Sequence, residues 1–414
     1  VGYTSYANWG RNSGEFSGVV GLAMGLRVVI SAGEVSGDQH LARVVRSLKA
    51  LDPSVEVRGM GGKECREAGA ELVVDCYKSG AAMGFLELFR SFRGIFSSFS
   101  AMSSLVRSWK PHLVLLADYP DFNLRLAKVA KAAGSKVLYY IPPKVWAWRS
   151  GRVEAIKRSV DHIAAIFPFE KEWYQQHGFN AVTYVGHPLT DQNKANTGER
   201  PRADRIVLMP GSRKFEIERM LLPMLKAFER IRVTQPSLQA VVMLADNMSE
   251  EWAKSCAATA VSPETMSAIS WKKGGVIEEM RHARAGILKS GTCNLEGAIA
   301  ELPFVSVYSG SLLAKMIVLT FVKLKEYSPV NIMKAGTVPE LMRVRQNTAE
   351  LERELLRVLQ DGPVREKMIS DLRDVRTALF SFESSGRQAE NVAGRVAALV
   401  TEMAQGPQTE AAAN

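Results

Sequence analysis

Ala285-Gly286-Ile287-Leu288-Lys289-Ser290-Gly291-Thr292-Cys293-Asn294-Leu295-Glu296 carries three structural instructions in one short span. The apolar run from Ala285 to Leu288 reads as a buried strand and Ser290-Gly291-Thr292 as its turn. The apolar periodicity that follows, up to Pro303, reads as a helix. Such a junction sets free backbone N–H groups and the positive end of a helix dipole at the carboxyl edge of a parallel sheet, where anionic phosphates bind. Glu296 lies one helical turn beyond Thr292 and can accept hydrogen bonds from ribose hydroxyls. Capping alone accounts for Ser, Gly and Thr at many such junctions, so the reading depends on the rest of the chain.

The same strand–helix alternation starts at Arg27. Apolar runs at Val28–Ser31, Val55–Val57, Leu72–Val74, Leu113–Leu116, Lys136–Tyr140, His162–Ile166 and Val182–Val185 are mostly separated by helical periodicity. A polar stretch without periodicity follows, and the rhythm restarts at Arg205–Met209, Ala240–Met243, Ala285–Leu288 and Phe304–Val307. This pattern predicts an α/β fold of two doubly wound, parallel-sheet (Rossmann-like) domains facing a cleft. The expected division is 25–190, a linker at 191–203, 204–380, and a C-terminal helix with a frayed tail at 381–414 that is able to pack back on the first domain. Helical periodicity is expected at 348–361, 363–378 and 385–403. Residues 1–24 show no repeating pattern and no signal-peptide layout, and read as an extension ahead of Met24.

Composition narrows the function. The 414 residues are 46% hydrophobic and 23% charged, the profile of a soluble globular chain long enough for two cores. A net charge of +10 favours anionic partners: nucleic acid, phosphorylated small molecules or an acidic membrane face. Without a Lys/Arg block or zinc-finger spacing, nucleic acid is not expected. Cys65, Cys76, Cys256 and Cys293 form no CxxC pair and read as reduced thiols of a cytoplasmic protein.

Strand ends supply the chemistry. Ser31-Ala32-Gly33-Glu34-Val35-Ser36-Gly37-Asp38 resembles a phosphate loop, but it is not GxGxxG, and its carboxylates would repel a pyrophosphate. It reads either as a tight turn with Asp38 capping a helix from about Gln39, or as a polar wall, led by Glu34, that meets sugar hydroxyls. Asp118, in Ala117-Asp118-Tyr119-Pro120-Asp121-Phe122-Asn123, has no local capping duty, which Asp121 fills. It is a candidate general base, the alternative being a buried Asp satisfied by backbone amides. In Met209-Pro210-Gly211-Ser212-Arg213, Gly211 and Ser212 allow close backbone approach and Arg213 offers a planar fork to phosphate oxygens.

Phe85, Leu88, Phe89, Phe92, Ile95, Phe96 and Phe99 recur at three- and four-residue steps, predicting one apolar stripe on a helix. It is either core or, together with Met83 and the off-stripe Arg90 and Arg93, a face lying in a lipid interface. Leu312–Lys323 is a second interfacial candidate, too short for the ~20 apolar residues a bilayer span needs.

Taken in order, Ala32–Asp38, Met83–Glu87, Asp118–Asn123, Val145-Trp146-Ala147-Trp148-Arg149, Phe167–Glu170, Val185-Gly186-His187-Pro188-Leu189, Leu208–Arg213 and Ser290–Glu296 resemble the bacterial lipid-A-disaccharide synthases, inverting glycosyltransferases of the two-domain GT-B type. The resemblance implies transfer of a sugar from UDP-2,3-diacylglucosamine to 2,3-diacylglucosamine 1-phosphate. The products are a β-1,6-linked disaccharide 1-phosphate and UDP. It implies Asp118, Arg213 and Glu34 as catalytic side chains, and Gly211, Ser212, Arg213, Ser290, Gly291, Thr292, Glu296 and Asn331 around UDP. Met83, Phe85, Phe89, Phe92 and Phe96 would then meet acceptor and membrane.

No cofactor and no metal is called for, because Arg213 and helix N-termini supply positive charge. The protein is expected on the cytoplasmic face of the inner membrane, and a homo-oligomer is compatible with the sequence. The chain departs from the family pattern at Pro142-Pro143-Lys144, at Lys289 and at Tyr327-Ser328-Pro329-Val330-Asn331. His187 is open to a substrate contact or a supporting hydrogen bond. Two alternatives stand beside the resemblance. One is a UDP-sugar epimerase or another UDP-N-acetylglucosamine-using enzyme of the same fold; the other is a membrane-bound binding protein without turnover.

Overall fold

Strands form where the apolar runs are. The computed structural model describes residues 25–76, 85–147, 150–191, 202–308, 326–342, 348–382 and 391–405. The first sheet contains β1 (Arg27–Ala32), β2 (Glu56–Gly61), β3 (Glu71–Asp75), β4 (Leu113–Ala117), β5 (Lys136–Tyr140), β6 (His162–Ala165) and β7 (Val182–Tyr184), in the order β3-β2-β1-β4-β5-β6-β7. The second contains β8 (Ala203–Met209), β9 (Gln239–Leu244), β10 (Ile269–Lys273), β11 (Ala283–Lys289), β12 (Phe304–Val307) and β13 (Glu340–Leu341), in the order β10-β9-β8-β11-β12-β13. The strand pairs that flank β1, β4, β8 and β11 are all parallel.

Helices cover both faces of the first sheet, so its strands need apolar side chains in both directions. Val28, Ile30, Leu113 and Leu115 pack with Leu41 and Val45 of the helix Val35–Leu51. Val29, Val114 and Leu116 pack into a separate cluster with Met102 and Val106 of the helix Phe85–Trp109 and with Phe122 and Leu126 of the helix Pro120–Ala132. Alternation along each strand thus feeds two cores.

The helix Pro363–Phe380 is tied to the second domain by ion pairs of Arg373 and Arg376 with Glu301, at 3.1 and 2.7 Å. The chain then crosses to the first sheet. Tyr184 Oη donates to the Leu379 carbonyl (2.8 Å), Arg395 Nε to the Val185 carbonyl (2.7 Å), and the Val392 N–H to Asp191 Oδ1 (2.7 Å). The helix Val392–Gln405 lies against the helix Val35–Leu51 and against β4 and β5.

Three local readings are corrected. The first helix begins at Val35, not near Gln39, with the Asp38 N–H already bonded to the Glu34 carbonyl at 2.9 Å. Asp38 therefore caps no turn of its own helix. It is fully buried and accepts from the backbone N–H groups of Gly62, Glu64 and Cys65 (2.7, 3.1 and 3.0 Å), capping the short helix Lys63–Glu67. Amide bonds to a carboxylate contribute on the order of 2 kcal/mol each, enough to fix β2 and its loop against the first helix.

Asp121 lies inside the first turn of its helix rather than at the cap, which Tyr119 occupies, and pairs with Arg152. The aromatic stripe also divides. Phe99 packs edge-on against Phe122 at 5.6 Å, whereas Ile95 is 37% and Phe96 78% exposed. Met83 and Leu312–Lys323 lie outside the described residues, as do the side chains of Phe85, Phe89 and Phe92. Among the described residues no helix is long and apolar enough to cross a membrane.

Candidate active site at the two switch points

In a doubly wound sheet, the crevice opens where neighbouring strands send their connections to opposite sides. Here the neighbours are β1 and β4 in the first sheet, and β8 and β11 in the second. The loops after these four strands carry Glu34, Asp118, Arg213 and Ser290-Gly291-Thr292.

At the first switch point the backbone is bent out of its ordinary range. Asp118 (φ 49°), Tyr119 (φ 47°) and Ile141 (φ 54°) are left-handed without being glycine, and the first two follow β4 while the third follows β5. Each such residue costs of order 1–3 kcal/mol and persists only where its surroundings fix it. Asn123 supplies that fixation. Its amide donates to the carbonyls of Ala117 (3.1 Å) and Asp118 (2.8 Å), while its oxygen accepts from Ser31 Oγ (2.6 Å). Tyr139 Oη donates to the Asp118 carbonyl as well, at 2.8 Å.

The backbone of Asp118 is locked and its carboxylate is left out of that network. The residue is half-buried, not the buried Asp of the alternative reading. The Tyr119 ring covers Gly33, where a Cβ would stand 2.3 Å from it, so only glycine fits there. Burial, then the charges of Glu34 and Asp121, raises the Tyr119 phenol above its ordinary range. Glu34 itself is exposed at the helix N-terminus, where its side chain makes no cap bond.

Sequence reasoning missed the supports on the next loop. Glu170, fully buried, accepts from the N–H groups of Ile166 and Phe167 (3.1 Å each) and from Trp146 Nε1 (3.0 Å). Burial outweighs these bonds and lifts its carboxyl to about 7. The Trp146 ring packs edge-on against Phe167 and Phe169. Glutamate at the third helical position, two residues after Pro168, was the available signal. His187 is buried, and its Nδ1 accepts the Leu189 N–H at 3.3 Å. Burial, then His40 and Lys144, lowers its pKa to about 3, so it is a neutral support.

At the second switch point, Gly211 (φ 130°) turns the chain into the helix Lys214–Thr234, and Arg213 sits at its N-cap. A Cβ on Gly211 would stand 2.5 Å from Glu216 Oε2. Glu216, 3% exposed, accepts the Ser212 N–H (3.0 Å) and Lys289 Nζ (2.9 Å), with Arg213 Nη1 farther off at 3.7 Å. Burial opposes its ionisation, but the Lys289 and Ser212 bonds and the Lys289 and Arg213 charges hold it below its ordinary range.

The helix Thr292–Ile299 follows β11. Its Asn294 amide donates to Ser306 Oγ (2.7 Å) and Ser328 Oγ (2.9 Å), anchoring it to β12 and to the segment before Pro329. Burial raises Glu296 to about 7. It also pushes the Cys293 thiol up to about 12, assisted by the Glu296 charge, so this cysteine stays protonated. Asn331 is buried and its amide is committed to the Val338 carbonyl (2.9 Å) and to Glu340 (2.8 Å), with its oxygen on the Val338 N–H. Its contacts are those of a loop brace. Among the described residues no group of His, Cys, Asp and Glu is arranged to hold a metal ion.

Comparison with known proteins identifies the family and the fold. A model of the lipid-A-disaccharide synthetase family matches residues 28–393. Lipid-A-disaccharide synthases of Trichlorobacter lovleyi and Geobacter metallireducens are 37% and 36% identical over 377 and 388 residues. Those alignments cover 88% and 91% of this chain, and 96% and 98% of theirs. Among solved structures, the calicheamicin glycosyltransferase CalG4 superposes with a TM-score of 0.57 at 14% identity, covering 93% of this chain and 99% of that one. A putative UDP-N-acetylglucosamine 2-epimerase from Listeria monocytogenes does so with 0.55 at 12% identity, covering 86% and 94%. At such identities the likeness is one of fold: two parallel-sheet α/β domains of the GT-B type.

Proposed function

Because the chain belongs to the lipid-A-disaccharide synthetase family, we propose that its two switch points are the two halves of one transferase site. Membership makes it a hexosyltransferase of lipid A disaccharide synthesis, with a UDP-sugar donor and a lipid acceptor. The finer assignment is UDP-2,3-diacylglucosamine as donor and 2,3-diacylglucosamine 1-phosphate as acceptor, joined β-1,6 with inversion.

The diphosphate rests on Arg213, the Gly211-Ser212 turn and Ser290-Gly291-Thr292, and Glu296 accepts from the ribose. Positive charge at that end stabilises UDP as it leaves. Asp118 takes the proton from the acceptor 6-hydroxyl as the bond to the anomeric carbon forms, and inversion follows from a single in-line displacement. Glu34, beside Tyr119, meets acceptor hydroxyls. Asn331 acts on the nucleotide pocket through Val338 and the start of β13 at Glu340. The exposed Ile95 and Phe96 support a docking face for the acyl chains at a lipid surface.

The observation that carries this reading is the placement at one switch point of Asp118, whose backbone is held by Asn123 and Tyr139 through bonds that do not use its carboxylate, and of the fork-bearing Arg213 turn at the other. The test is turnover by purified protein. Disaccharide and UDP are expected only when both acylated substrates are present. Activity on unacylated UDP-N-acetylglucosamine that is indifferent to acyl chains would transfer the reading to another GT-B chemistry.

Glu296 gives the reading a pH signature. With its pKa raised to about 7, the carboxyl is a neutral acid below that pH and a double acceptor above it. Hydrogen bonds to an ionised group exceed neutral ones by about 1 kcal/mol, so donor KM is expected to fall about three- to fourfold between about pH 6 and about pH 8. Glu296→Gln, which cannot ionise, is expected to give a flat profile over the same range. A wild-type KM without that inflection would take Glu296 off the ribose.

A further inference from the structure

The last register pair of β8 and β11 is Leu288 opposite Met209, so Lys289 and the Pro210–Arg213 turn leave the sheet side by side. Lys289 stands immediately before the Ser290-Gly291-Thr292 turn. Its Nζ crosses the switch point to Glu216 Oε1, 2.9 Å away, on a side chain that is only 3% exposed. The other oxygen of Glu216 holds the Ser212 N–H at 3.0 Å. One buried carboxylate thereby joins the loop after β8 to the last residue of β11.

Arg213 has the same oxygen within reach but stays 3.7 Å from it, with its side chain 66% exposed. Two cations compete for one anion, and the closer one wins. On these distances Lys289 neutralises Glu216, and the Arg213 guanidinium keeps donors for an incoming anion.

We propose that Lys289 is a positioning residue: by neutralising Glu216 it keeps the Arg213 guanidinium from being captured and leaves it available to the diphosphate. The inference rests on the nucleotide reading of the second switch point and deepens it. Without Lys289, a desolvated carboxylate next to Arg213 would draw the guanidinium inward, because a buried charge without a partner is far more costly than an exposed fork turned aside. Lys289 then acts through Arg213 and does not itself need to touch phosphate.

The experiment is calorimetric titration of UDP into the full chain. Lys289→Met is expected to bind UDP about tenfold more weakly, and Lys289→Arg within about threefold of wild type. The decisive variant is Glu216→Gln combined with Lys289→Met. Its neutral amide still accepts the Ser212 N–H but no longer captures Arg213, so affinity is expected to return to within about threefold of wild type. A merely structural loss, or a direct Lys289–phosphate contact, would leave the double variant as weak as the single one, and that result overturns the proposal. So does wild-type affinity in Lys289→Met. If the methionine variant does not fold, Lys289→Gln keeps a donor near Glu216 without the charge and carries the same expectations. Wild-type protein that takes up no UDP would instead remove the nucleotide reading itself, and the positioning role with it.

Discussion

Asp118→Asn is expected to lower kcat about a thousandfold while leaving both KM values within about threefold, since general-base catalysis is worth about 10²–10⁴ in rate. The substitution is unusually clean at this position. Asp118 is left-handed at φ 49°, a region asparagine tolerates at least as well as aspartate, whereas alanine would add strain. The bonds that lock the loop use the Asp118 carbonyl, held by Asn123 and Tyr139, and not its carboxylate. Removing the carboxylate's charge therefore leaves the loop's anchors intact. Thermal midpoints of the two proteins should agree within about 2 °C, because a surface-accessible change of this kind moves stability by about 0.5 kcal/mol at most. Single-turnover measurement with both acylated substrates separates the outcomes. A thousandfold loss with unchanged binding supports proton removal at Asp118. Turnover within about threefold of wild type would show that the proton leaves by another route.

The fold was legible because its central strands are buried on both faces and therefore written as unbroken apolar runs. Val28–Ile30, Leu113–Leu116 and Ile206–Leu208 could belong to little else. β10 and β13 were not legible, for the opposite reason. At the edges of the second sheet, Ile269-Ser270-Trp271-Lys272-Lys273 is mostly solvent-facing, and Glu340-Leu341 makes only two register pairs. An edge strand needs no apolar run. The aromatic helix shows a related limit. Periodicity marks Phe96 and Phe99 as neighbours on a helix, but only tertiary packing covers Phe99 and leaves Phe96 in solvent.

The site divides along the same line. Turn chemistry at Gly211-Ser212-Arg213 and Ser290-Gly291-Thr292 is local and could be read directly. The buried carboxylates that hold the loops in place could not. Asp38 serves amides beyond position 60, and Glu216 serves a lysine on β11. Each looks in the sequence like one more charged residue on a helix, because its partners are brought to it only by the sheet order. The left-handed pair Asp118-Tyr119 was hidden for a different reason: no glycine marks it, and its support comes from Asn123 and Tyr139 rather than from residue type.

Arg213→Ala is expected to reduce kcat/KM about 10²–10³-fold, the loss that follows removal of one preorganised donor from a developing charge. Arg213 supports little else. Its side chain is 66% exposed, its one ion pair among the described residues spans 3.7 Å, and as an N-cap it makes no side-chain cap bond, so the helix Lys214–Thr234 does not depend on it. Arg213→Lys restores charge without the planar fork and is expected to recover no more than about tenfold of that loss. The split between parameters carries the argument. A group that grips the diphosphate equally in substrate and transition state would raise KM alone. One that strengthens its hold as UDP departs lowers kcat too. The proposed in-line displacement requires the second pattern, because charge accumulates on the β-phosphate only as its bond to the donor sugar breaks. UDP affinity measured beside turnover gives both terms for the same variant. Should Arg213→Ala bind UDP and turn over within about threefold of wild type, the anion turn after β8 would have no part in the reaction, and the diphosphate would have to be sought at the Ser290-Gly291-Thr292 turn alone.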